Sequence, residues 1–161
     1  MKKNIIRRST SLESKLPDNL HPVLRRIYKN RDINDVNVLE KSLQKLLPYH
    51  ALKNINQAVE ILFHSLQQQE KILIIGDFDA DGATSTTVAV KCLKMLGAEH
   101  VNFLVPDRFK YGYGLTPEIV HKAQQEYSPD LIVTVDNGIS SIDGVEAAKS
   151  SSIKVIVTDH H

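Results

Sequence analysis

The sequence predicts an α/β protein: a doubly wound parallel sheet preceded by a helical N-terminal segment. Two observations carry this. Four short apolar runs, Lys71–Gly76 (KILIIG), Val101–Val105 (VNFLV), Leu131–Val135 (LIVTV) and Ile153–Thr158 (IKVIVT), alternate with segments of helical spacing. Strands alternating with helices imply parallel pairing through right-handed crossovers. Three of the four runs also open directly onto polar clusters: Asp77-Phe78-Asp79-Ala80-Asp81-Gly82, Asp136-Asn137-Gly138 and Asp159-His160-His161. The carboxyl ends of the strands of an open parallel sheet share one edge, and sites form in the crevice there. The three clusters are therefore expected to meet.

Along the chain, residues 1–20 show little periodicity and are expected to be extended or mobile. Pro22–Lys29 predicts a short helix. A second is expected over Asn37–Leu47, with Val38, Leu39, Leu43, Leu46 and Leu47 at helical spacing before Pro48 stops it. Ile55, Ala58, Val59, Leu62 and Leu66 make Ile55–Gln68 an amphipathic helix. The first strand of the sheet leads into a helix over about Ala83–Leu96, closed by Gly97. Thr116-Pro117-Glu118 is a strong helix start, with a hydroxyl cap, proline in the first turn and an early acid, and predicts a helix over Pro117–Tyr127. A short helix over Ile142–Ser150 joins the third and fourth strands. The expected division is a basic, partly helical extension over 1–48 and the α/β domain over 49–161.

The 161 residues allow one ordinary core plus an appendage, and 42% hydrophobic with 24% charged residues fits a water-soluble globular chain. No apolar run approaches the roughly 20 residues of a membrane span, and the basic N-terminus lacks the apolar region of a secretory signal. These readings point to the cytoplasm and away from membranes. The single Cys92 forms no internal disulfide and is expected to be buried and inert. The net charge is +1, yet residues 1–31 carry nine Lys or Arg against Glu13 and Asp18, so they hold +7 and the remainder −6. A basic arm beside an acidic domain suits a polyanionic partner; a solvated tail is the other reading.

Asp77-x-Asp79-x-Asp81-Gly82 matches the opening of a calcium-binding helix–loop–helix motif. A β-rich run precedes it, however, and Val88 occupies the twelfth position where that motif needs Glu. The loop lacks the Gly-Lys-Ser/Thr ending of a phosphate-binding P-loop, and the chain has no G-x-G-x-x-G. Asp79-Ala80-Asp81-Gly82-Ala83 resembles the nucleophile loop of haloacid-dehalogenase-like phosphatases, but the later elements of that pattern do not follow. A plain helix-capping turn needs only one Asp. Three like charges within five residues, with no obvious counter-cation nearby, repel one another unless a divalent cation joins them. Asp136 could bridge two cations, as two-metal phosphodiester sites require. The histidines after Asp159 could bind Mn²⁺ or contact a phosphoryl oxygen, or could simply form a loose chain end. Arg108, Lys110, Tyr111 and Tyr113 lie in the segment after the second strand and are expected at the same edge, the cations on phosphate and the tyrosine rings on bases.

Together GDFDADGATST (Gly76–Thr86), PDRFKYGYGLTPEIV (Pro106–Val120), VTVDNGIS (Val133–Ser140) and VTDHH (Val157–His161) resemble the DHH phosphoesterase superfamily. Within it they are similar to the RecJ family of bacterial single-strand-specific exonucleases. The resemblance covers about residues 45–161 strongly. It implies a DHH-type domain and a 5′→3′ exonuclease that releases mononucleotides from single-stranded DNA in recombination and repair. It further implies two Mn²⁺ or Mg²⁺ ions serving the attacking and departing oxygens. Carried over by position, the catalytic set is Asp79, Asp81, Asp136, Asp159, His160 and His161. The implied metal ligands are Asp79, Asp81, Asp136 and His160, with Asp77 assisting; His161 contacts the scissile phosphate and Asp159 supports the histidine pair. A single-strand-binding protein is implied as a partner, and oligomeric state is left open. The family pattern continues past the Asp-His-His with another strand, a further metal-binding Asp and a second domain. The chain is thus expected to be an N-terminal portion, cut after the fourth strand, with weak metal binding and little or no hydrolysis alone. A DHH hydrolase of short oligonucleotides or small phosphate esters, and a non-catalytic nucleic-acid-binding fragment, stand as alternatives.

Overall fold

The four apolar runs pair in one parallel sheet in the computed structural model, which describes residues 16–40 and 42–161. Its strands are β1 (Ile72–Ile75), β2 (Val101–Leu104), β3 (Leu131–Val135) and β4 (Lys154–Thr158), in the order β2-β1-β3-β4. Ile72 pairs with Val101 on one side and Leu131 on the other, and Leu131 pairs with Lys154. Every residue of β1 and β3 is buried, whereas β2 and β4 are only partly covered. Continuous apolar sequence at the two central positions is what a parallel sheet covered on both faces demands.

The helices of this unit are α2 (Ile55–Gln67), α3 (Ala80–Met95), a single turn α4 (Arg108–Tyr111), α5 (Pro117–Tyr127) and α6 (Ile142–Ser150). On one face, Leu73, Ile75 and Ile132 pack with Leu115, Ile119, Val120 and Ala123 from α5 and its approach, and with Ala148 of α6. On the other, Ile72, Ile74, Leu131 and Val133 meet Leu93, Ala89 and Val90 of α3 and Ile61, Leu62 and Leu66 of α2. Two cores on opposite faces make the sheet doubly wound. Thr116 caps α5 with Pro117 at its first position, as its sequence predicts. Gly97, at φ +94°, ends α3, with the N–H of Ala98 donating to Leu93.

The chain leaves β1 toward β2 and returns to β3 on the far side of β1. The strand order therefore reverses between β1 and β3, where a crevice opens at the carboxyl ends.

The chain divides into two compact units, one ending at Ala51 and one spanning Leu52–His161; the expected boundary lies three residues earlier. In the first unit, α1 (Pro22–Lys29) forms as predicted. The helix expected over Asn37–Leu47 does not. Two 3₁₀ turns, Val36–Leu39 and Leu43–Lys45, stand in its place, and Glu40 and Ser42 are extended. Among the described residues Leu43, Leu46 and Leu47 of the apolar stripe are exposed, and a helix of this length is marginal without burial. The expectation for residues 1–20 falls, for 1–15, outside the described residues. Cys92 is exposed, because the buried side of α3 is formed by Gly82, Thr86 and Leu93. Among the described residues no helix is long and apolar enough to cross a membrane.

Candidate metal centre

Asp77 follows β1 after Gly76, and only 7% of its surface is accessible. Its Oδ1 accepts from the N–H of Phe78 at 2.8 Å, and its Oδ2 takes an ion pair from Arg108. Asp79 is the N-cap of α3, its Oδ1 accepting from the N–H of Gly82 at 3.0 Å. That hydrogen bond is the largest cause holding the Asp79 carboxyl below the ordinary range. Desolvation opposes it, while the Asp136 side chain, the N–H of Asp81 and the Arg108 charge reinforce it. Asp136 follows β3 in the left-handed region, at φ 62°, which Asp tolerates better than most residues. Its N–H donates to Thr158 and its carbonyl accepts from the Tyr113 hydroxyl, each at 3.0 Å, so the strained turn is held from both sides.

These pieces converge. Asp77, Asp79 and Asp136 each offer a carboxylate oxygen within 4.8 Å of the others, and Asp136, His160 and His161 form a second such group. Asp136 belongs to both. The Nε2 of His160 lies 2.8 Å from Asp136 Oδ1. The two imidazoles stack, with centres 4.5 Å apart. Asp159 supports them from behind with a carboxylate that is 1% exposed. Burial alone would raise that carboxyl; the N–H of Ile139, the His161 ring and the N–H groups of His161 and His160 outweigh it and hold it at about 2. In return the 2.7 Å bond from Asp159 to His161 Nδ1 raises the His161 imidazole above its usual value. The Tyr113 hydroxyl stands 3.0 Å from the same nitrogen, and burial, followed by the charges of Asp159, Asp77 and Asp136, raises it as well.

The structure departs from the sequence expectations at four residues. Asp81 is in neither group. Helix α3 begins at Ala80 rather than near Ala83, which puts Asp81 in its exposed first turn, about 100° round from its neighbours. There its charge favours the positive helix end. The cluster also has a counter-cation after all, since Arg108 pairs with Asp77. Its guanidinium also meets two rings, 4.3 Å from the centre of Phe78 and 5.0 Å from that of Tyr113. Tyr111 packs on the core beside α5, under the Lys110 ammonium at 5.0 Å, and is not brought to the crevice. Asn137 is the residue that the sequence does not single out. It is 2% exposed, and its amide donates to Ile75 at 3.1 Å and Val135 at 2.9 Å, tying the ends of β1 and β3 together between the carboxylates. An Asp-Asn-Gly turn hides this role, because any tight turn accounts for the same residues.

The donor set fits a divalent cation. Two of the three clustered carboxylates are buried, Arg108 offsets one charge, and the imidazoles add borderline nitrogen ligands of the kind Mn²⁺ accepts beside hard oxygens.

Comparison with known proteins agrees with this geometry. Residues 71–161 match the DHH family, N-terminal domain. The chain is 50% identical over 156 residues to the single-stranded-DNA-specific exonuclease RecJ of Dickeya dadantii strain 3937, and 48% identical over 155 residues to that of Escherichia coli strain K12. These alignments take in 97% and 96% of the chain but 27% of each relative, so the chain spans about a quarter of the length of the curated relatives it matches. A crystal structure of exonuclease RecJ bound to manganese superposes with a TM-score of 0.63 at 38% identity, covering 71% of this chain and 28% of that one. With its family-matching segment running through β1, β3 and the closing Asp-His-His, the chain belongs to the DHH family.

Proposed function

We propose that this chain supplies the metal-binding portion of a single-stranded-DNA-specific 5′→3′ exonuclease that hydrolyses phosphodiester bonds with Mn²⁺ or Mg²⁺. The observation that carries the reading is the double membership of Asp136, which joins the carboxylate group of Asp77 and Asp79 to the histidine group of His160 and His161. Asp79, Asp136 and His160 hold the ions, and Asp77, fixed by Arg108, closes the carboxylate side. Bound there, a pair of divalent ions supplies Lewis acidity to the attacking and departing oxygens. His161, oriented by Asp159 through its Nδ1, directs its free Nε2 toward a phosphate oxygen. Tyr113 holds the Asp136 turn and the His161 ring on the same side of the crevice. The guanidinium edge of Arg108 not used by Asp77 is a further phosphate contact.

Identity near one half to proteins named as exonucleases favours this over a hydrolase of small phosphate esters. The same reading assigns the chain to DNA recombination and repair in the cytoplasm, with single-strand-binding protein as a partner. Because the chain spans so little of its relatives' length, we propose that alone it binds ions and single strands but turns them over slowly or not at all.

The test is binding of a 5′-phosphorylated single strand to the purified 161-residue chain. Retention that needs Mn²⁺ and is abolished by EDTA and by the pair Asp79→Ala with Asp136→Ala is expected. Salt-sensitive retention indifferent to both would overturn the metal reading in favour of a plain binding module. Rapid Mn²⁺-dependent degradation would contradict the low activity proposed for the chain alone.

A further inference from the structure

Phe78 stands between Asp77 and Asp79, and 54% of it is exposed. Neither neighbour needs an aromatic there: Asp77 is fixed through its own carboxylate and Asp79 by capping α3. The ring is nevertheless held in place. The Arg108 guanidinium lies 4.3 Å from its centre, Asp77 anchors that guanidinium, and the Tyr113 ring also contacts it at 5.0 Å. A charge pinned by an ion pair and in contact with both rings is a firm support, so the exposed part of Phe78 is an aromatic surface held in place. It stands between two of the carboxylates whose bound ions would receive a phosphate.

A flat apolar surface beside a phosphate-directed site matches a nucleotide: phosphate on the ions, base on the ring. Stacking of this kind is indifferent to base identity, because every base has a π face, and it needs a base unstacked from its neighbours. We infer that Phe78 is the stacking platform for the nucleobase next to the phosphate held at the metal centre, and that it makes the site prefer unpaired nucleotides to bare phosphodiesters. The inference rests on the proposed nuclease reading and deepens it by naming what the site recognises besides phosphate.

The test compares two labelled strands of equal length and charge, oligothymidylate and its abasic counterpart. Each is titrated by fluorescence anisotropy in Mn²⁺ against the full chain, Phe78→Leu and Phe78→Tyr. Leucine keeps apolar bulk and removes the π face; tyrosine keeps the face. The wild-type chain and Phe78→Tyr are expected to prefer the base-bearing strand by about tenfold or more, and Phe78→Leu to lose most of that preference while keeping its affinity for the abasic strand. A preference that survives in Phe78→Leu, or is absent from the wild-type chain, overturns the platform. Loss of Mn²⁺-dependent binding to both strands by the wild-type chain marks failure of the nuclease reading itself, and the platform falls with it.

Discussion

Between the carboxylates of β1 and β3 lies one amide side chain, that of Asn137, and its two hydrogen bonds close the gap between the strand ends. Truncating it would leave the Ile75 and Val135 carbonyls, both at buried positions, without these donors. A lost buried bond of this kind costs about 1–3 kcal/mol. Asn137→Ala should therefore lower the stability of the metal-free chain by about 2 kcal/mol, read as a drop in the urea midpoint with an unchanged slope. An unchanged midpoint would show that the tie does not hold the crevice together. At this scale the sequence was legible wherever a residue broke a pattern. Asp136 follows a strand that is apolar but for Thr134, and Asp159-His160-His161 follows the mostly apolar β4. It was not legible where a residue's partner lies far along the chain, as with Arg108 on Asp77, 31 residues away, or where turn chemistry explains the residue equally well, as with Asn137.

Each strand and most helices could be read within a residue or two, because burial and local capping pointed the same way. The start of α3 is the informative exception. The sequence offers three aspartates as possible caps, and selection of Asp79 is tied to packing: a β-carbon on Gly82 would lie 2.3 Å from the Asp77 carbonyl, so only glycine lets the helix approach the loop this closely. A polar tie appears at the opposite end of the sheet. Glu70, just after α2, accepts from Ser65 at 2.6 Å and binds the Lys154 ammonium at the start of β4 through both oxygens, at 2.7 and 2.6 Å. Burial opposes ionisation of Glu70, but Lys154 and Ser65 outweigh it and hold the carboxyl below its ordinary value of 4.5. A carboxyl whose folded value lies below its unfolded one stabilises the fold at pH above 4.5, and that contribution is lost as pH falls through the folded value. Glu70→Gln should thus be less stable than the wild-type chain by about 1 kcal/mol at pH 7, with the two converging once pH has fallen well below 4.5. Urea unfolding across that range checks it, and a pH-independent difference would remove the ionised tie.

Over the whole α/β unit, the order β2-β1-β3-β4 turns three sequence-distant clusters into one site. Asp77 and Asp79 leave β1, Asp136 leaves the adjacent β3, and Asp159, His160 and His161 leave β4 beyond it, so neighbouring strands deliver neighbouring ligands. This convergence was foreseeable from alternation and strand ends alone. Its membership was not, because helix start and ion pairing decided that Asp81 stays out and that Arg108 is engaged. The direct test is Mn²⁺ titration of the 161-residue chain followed by electron paramagnetic resonance, with Asp79→Asn, Asp136→Asn and Asp81→Asn in parallel. The geometry predicts that the first two lower Mn²⁺ affinity by about tenfold or more and that Asp81→Asn stays within about twofold of the wild-type chain. An Asp136→Asn chain that binds Mn²⁺ as the wild-type chain does would contradict the shared centre.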